Sequence, residues 1–104
     1  MSVPSRQAEG EVLSDLRQQL QEPPLYKVLL HNDDYTSMEF VVMVLETIFH
    51  KTTAEATRIM MNVHRQGVGI AGIYTRDIAE TKMHMVMDLA RQNDFPLKSS
   101  IERA

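Results

Sequence analysis

Asn32, Asp33 and Asp34 are the residues with the most chemistry per unit length in this chain. They stand between a strand-like run, Tyr26 to His31, and an apolar helical pattern that starts near Ser37. Their side-chain oxygens accept hydrogen bonds, and the two carboxylates add negative charge. Three in a row beside apolar residues suit a small cation with an apolar tail. His64, farther along, adds a ring nitrogen that accepts when neutral. The chemistry this set could perform is capture of a protonated amine. An α-amino group offers three N–H donors and has a pKa of about 8, so it is mostly charged at neutral pH. Met38, Val41, Met60, Val63 and Leu97 could hold an apolar side chain beside that amine. The competing account is a β-turn with an Asx hydrogen bond. On spacing alone the turn is the simpler of the two.

Other chemistries find less support. His31, Asp33, Asp34 and His64 are ligand types that zinc accepts, but they follow no metal-ligand spacing, so no metal or other cofactor is expected. Ser37 and Ser99 lie outside any nucleophile-elbow pattern, and there is no phosphate-cradling glycine loop. Too few groups converge for a reaction, so the expectation is a binding protein and not an enzyme. Cysteine is absent, which removes disulfides and thiolate chemistry. The net charge is -3, with lysine and arginine dispersed, which argues against nucleic-acid binding through a basic patch. No run is long and apolar enough to span a membrane, and the polar start of the chain has no export-signal character. Eight methionines against six aromatics read mostly as flexible core filler.

These candidates need elements to position them. At 104 residues the chain allows one domain with a modest core. Residues 1–23 read as a flexible extension in which Leu13, Leu16 and Leu20 could share a helix face. Pro23-Pro24 then marks the boundary of a core domain over 24–104. Tyr26 to His31 reads as a largely buried strand. Thr36-Ser37-Met38-Glu39 matches a capping box, and Val41, Val44, Leu45 and Ile48 give one helical face, widened by Met38, Val42 and Phe49. Thr52-Thr53-Ala54-Glu55 is a second capping box. It leads into Ala56, Ile59, Met60 and Val63, with His64 at the edge of that face and Gly67 as the stop. Val68 to Tyr74 reads as a strand whose Gly69 and Gly72 signal a bulge or close packing. Thr75 can cap a third helix with Ala79, Met83, Val86 and Ala90 inward, ended by Asn93 and Pro96. Leu97, Ser99 and Ile101 alternate as a last strand. The fold class is therefore α+β: a small three-stranded antiparallel sheet packed on three helices, in the order β-α-α-β-α-β.

The run Tyr26 to Phe40, Val63-His64, the segment Gly69 to Thr75, Ala79-Glu80-Thr81-Lys82 and Pro96-Leu97 resemble the ClpS adaptor family. The resemblance covers residues 24–104 and rests on specific motifs. It implies a bacterial cytoplasmic, non-enzymatic adaptor. Such adaptors bind N-degron peptides and proteins that begin with Leu, Phe, Tyr or Trp. They pass these substrates to the N-terminal domain of a ClpA-type AAA+ unfoldase working with ClpP. By the same resemblance, Asn32, the pair Asp33-Asp34 and His64 hold the free α-amino group, with the choice between the aspartates open. Thr36, Met38, Val41, Met60, Val63 and Leu97 line the side-chain pocket, Met38 as a gate against β-branched residues. Asp77 and Lys82 fall where the family meets the unfoldase, and the N-terminal extension serves hand-over. Two positions depart from the family's usual residues: Ser37 stands where proline is common, and Ala71 where cysteine is frequent. A second function class also fits, an interaction module that only docks on the unfoldase and blocks its other substrates.

Overall fold

Residues 10, 12–13 and 23–104 are described in the computed structural model of the protein. Leu13 is exposed, whereas Leu16 and Leu20, and most of the extension, lie outside the described residues.

From Leu25 onward the elements follow the order expected from the sequence. Strand β1 (Leu25–His31) leads to helix α1 (Met38–Thr47) and helix α2 (Thr53–Gln66). Strand β2 (Val68–Thr75), helix α3 (Arg76–Gln92) and strand β3 (Lys98–Arg103) complete the chain. The sheet runs β2-β1-β3 with both pairings antiparallel, so β1 is central. Alternation along β1 sends Val28 and Leu30 into the core, where both are fully buried. Leu45, Val44 and Val86 meet them there from α1 and α3. Burial of each such side chain stabilises the fold by about 1.5–3 kcal/mol.

The first helix starts one residue later than the capping box suggested. Ser37 is the cap, its hydroxyl accepting from the Phe40 N–H at 3.1 Å. Thr36 lies before the helix, in the turn built on Asp33, to whose Oδ2 its hydroxyl donates. Phe40, a residue the helical spacing had not marked, also lies in the core, where it packs on Phe95 with ring centroids 4.7 Å apart. Thr52 caps α2 through Glu55 N–H as expected, and Gly67 closes that helix in the left-handed region at φ 86°. Thr75 has the backbone geometry of a cap for α3 but makes no side-chain capping bond.

Both glycine signals in β2 have a physical reading. The register of β1 on β2 steps between Val28, opposite Gly72, and Leu29, opposite Ile70, leaving Ala71 as an extra, fully buried residue. Gly69 lies under α2: a Cβ there would come within 2.6 Å of Val63 Cγ2. Glycine at 69 thus lets α2 settle close against the sheet. At the other end of α1, Lys82 reaches from α3 and donates from Nζ to the Ile48 carbonyl at 2.6 Å, with the Phe49 and Tyr74 rings beside it. This satisfies a carbonyl at the helix C-terminus, where a positive charge is favourable. No described helix is long and apolar enough to cross a membrane.

Gly69→Ala is expected to lower stability by about 1–3 kcal/mol, the usual cost of overpacking a stiff β-branched neighbour. Urea denaturation checks this; an unchanged midpoint would mean that α2 shifts freely.

Candidate functional site

The acceptor run emerges from the C-terminal end of β1. The ladder does not stop at His31: Asn32 N–H donates to the Gly67 carbonyl at 2.9 Å. That bond fastens the loop to the end of α2, whose last turn carries His64. Residues about a third of the chain apart thereby become neighbours.

Beyond Asn32 the backbone curls around one carboxylate. Asp33 Oδ1 accepts from the backbone N–H groups of Tyr35 at 2.8 Å and Thr36 at 2.7 Å. Its Oδ2 accepts from the Thr36 hydroxyl at 2.6 Å. This is the Asx turn that competed with amine capture in the sequence, and it is present. Partial burial by itself raises the Asp33 pKa, but the bonds from the Thr36 hydroxyl and from the Thr36 and Tyr35 N–H groups outweigh it. The carboxyl is held below its ordinary value of 3.8. Asp34 is exposed and accepts no hydrogen bond among the described residues.

Turn and cavity coexist. Asn32, Asp33, Asp34, Thr36, Ser37, Met38, Val41, Met60, Val63 and His64 together line a cavity of about 340 Å³. That is at the small end of the range of about 300–1,000 Å³ for ligand sites, room for one side chain and its backbone. Its floor is apolar and inaccessible: Val41 is 6% exposed, Met60 8% and Val63 2%. Its mouth is polar, with Asn32, Asp34, Ser37 and His64 all exposed, and Met38 stands beside them at 43%. Volume does not select this site, since grooves of about 390 and 400 Å³ exist elsewhere. The convergence of acceptors over an apolar floor does. No group of three or more potential metal ligands occurs among the described residues.

Nine of the ten cavity-lining residues are those singled out in the sequence for an amine or its side chain. Leu97 is the exception in the other direction. It is 4% exposed, sits just before β3 and packs in the core, and it is not among the residues that border the cavity. Its alternation with Ser99 and Ile101 told that it points inward, but not which part of the interior it meets. Ser37 lines the cavity and was not among the candidates; its position next to Met38 was the available signal. Asp77 and Lys82 lie on α3, away from the cavity. Asp77 is exposed in the first turn, whereas Lys82 is half-buried and spends one donor on Ile48.

Comparison with known proteins places this geometry among relatives. Residues 21–100 match the family model described as ATP-dependent Clp protease adaptor protein ClpS. The chain is 53% identical over 102 residues to the ATP-dependent Clp protease adapter protein ClpS of Desulfatibacillum aliphaticivorans, covering 98% of each. It is 57% identical over 86 residues to the protein of the same description from Myxococcus xanthus, covering 83% of this chain and 80% of that one. Among solved structures it resembles Agrobacterium tumefaciens ClpS2 bound to L-phenylalaninamide, with a TM-score of 0.77 and 43% identity. That match covers 80% of this chain and all of the other.

The Asp33 turn makes a pH-dependent contribution. A carboxyl whose folded-state pKa lies below its unfolded value stabilises the fold above that value, and the contribution is lost as pH falls through the folded-state pKa. Asp33→Asn is therefore expected to cost about 1–3 kcal/mol at pH 7 and to flatten the loss of stability below about pH 4. Denaturation midpoints at pH 7, 5 and 3 test it; identical acid profiles for both proteins would remove the carboxylate from the account.

Proposed function

The chain belongs to the ClpS family of ATP-dependent Clp protease adaptor proteins, and from that premise we propose that it is a non-enzymatic adaptor for N-degron substrates. It binds the free α-amino group and the bulky first side chain (Leu, Phe, Tyr or Trp) of a protein. It then delivers that protein to a ClpA-type AAA+ unfoldase of the ClpAP protease in the bacterial cytoplasm. The observation that carries the reading is one cavity bordered both by Asn32, Asp34 and His64 and by Val41, Met60 and Val63. A free amino acid presents these two chemistries from one carbon atom. The ClpS2 relative was solved with L-phenylalaninamide, a ligand of that kind.

The geometry also favours one aspartate. Asp33 already receives three hydrogen bonds from its own turn, while Asp34 is exposed at the cavity mouth. In this reading Asp34, Asn32 and His64 accept from the amine, and Asp33 holds the loop that presents them. Each charge-assisted bond contributes about 1.5–3 kcal/mol, and the buried first side chain about 1.5–3 kcal/mol. Lost translational and rotational freedom offsets several kcal/mol of that. Affinity in the micromolar range, set by the first residue, follows. Met38 at the mouth acts as the gate that a side chain branched at Cβ would strike. Docking on the unfoldase's N-terminal domain falls to α3 around exposed Asp77. Lys82 has donors to spare beyond the one it gives Ile48.

A labelled peptide beginning with Phe is expected to bind with micromolar Kd by fluorescence anisotropy, and its Nα-acetylated form at least a hundredfold more weakly. Equal binding of the two would exclude amine capture. It would leave the docking-only module, which needs the α3 face but not the cavity. Met38→Ala is expected to raise affinity for peptides beginning with Ile or Val about tenfold, roughly the value of relieving one steric clash. No gain for either peptide would remove Met38 as the gate.

A further inference from the structure

Ser37 brings to the cavity a donor that the amine cannot use. Its Oγ accepts from Phe40 N–H, so a lone pair is engaged and the hydroxyl hydrogen remains to be given. No acceptor for that hydrogen occurs among the described residues. The neighbouring Thr36 differs: its hydrogen goes to Asp33 Oδ2 at 2.6 Å. The carboxylates of Asp33 and Asp34 only accept. The mouth of the cavity is thus rich in acceptors and short of committed donors, with Ser37 the hydroxyl that supplies one.

The depth profile decides what this donor meets. The floor at Val41, Met60 and Val63 is apolar and nearly buried, so in the N-terminal-residue reading it would take the tip of the side chain. The amine, and the carbonyl attached to the same Cα, stay at the mouth with Ser37, Asp34 and His64. We propose that the Ser37 hydroxyl donates to the carbonyl oxygen of the ligand's first residue, making Ser37 a specificity residue for an α-amino acyl group over a simple amine. This rests on the reading of the cavity as an N-terminal-residue site and adds a second recognised group to it. Asn32 through its side-chain amide and His64 through its ring N–H can also donate, so the test isolates the serine.

The experiment is competition against a labelled Phe-peptide by phenylalaninamide and by phenethylamine, which keeps the ring and the amine but lacks the carbonyl. The native protein is expected to favour the amide. Ser37→Ala is expected to narrow that preference about threefold to tenfold, the worth of one net hydrogen bond, mainly through weaker amide binding. Ser37→Thr, which retains both the hydroxyl and the helix cap, is expected to keep the native ratio. Thermal melts report the loss of the cap separately. An amide-to-amine ratio equal in Ser37→Ala and the native protein overturns the assignment while leaving the cavity's amine chemistry standing. Failure of the Phe-peptide to bind the native protein overturns both.

Discussion

The architecture depends on the pairing of β1 with β2. Because β2 follows α2 directly through Gly67, any register that sets His31 opposite Val68 also sets the end of α2 beside the end of β1. The bond from Asn32 N–H to the Gly67 carbonyl extends that pairing past the strand itself. It makes the acceptor loop and the last turn of α2 one unit. The bulge at Ala71 and the bare Cα of Gly69 serve the same geometry, since they let the sheet adjust and let Val63 approach it. Without that approach His64 would stand away from Asn32 and the cavity would have one wall.

Within the loop, two adjacent carboxylates are given opposite tasks by their hydrogen-bond partners alone. Asp33 turns inward and gathers three donors, which orders Tyr35 and Thr36 and sets the entry of the chain into α1. Asp34 is exposed and accepts no hydrogen bond among the described residues, which in the proposed reading leaves its charge for a ligand. The turn and the binding site were rival readings of the same residues. The turn and the cavity occur in one structure, the turn ordering the loop that lines the cavity. A site for a small cation benefits from this, because acceptors fixed in advance lose little freedom on binding. At the opposite end of α1, Lys82 has a comparable structural task, capping the Ile48 carbonyl beside two aromatic rings. A residue marked for a partner can therefore also hold the core together.

Much of the fold was legible in one dimension. Periodicity located the three strands and three helices within a residue or two because apolar spacing directly records which face is buried. Capping chemistry located Thr52 and Gly67 for the same local reason. It missed by one residue at Ser37, because the turn built on Asp33 three residues upstream includes Thr36 and the helix begins only after it. Phe40 was likewise overlooked as core, since the helix face was counted from Val41. The side that Phe40 buries is defined by Phe95, more than fifty residues away in sequence.

The sequence by itself determined the types of group available: acceptors beside an apolar helix, a histidine on a second helix, and motifs specific enough to point to the ClpS adaptors. These are local properties, written in composition, spacing and identity. Only the tertiary structure decided which groups share a cavity, that Asp33 is taken up by its own turn while Asp34 is exposed, and that Ser37 joins the rim. The physical reason is that the cavity is a product of strand register and helix approach. Both are set by contacts between residues far apart in the chain, and no local pattern encodes them.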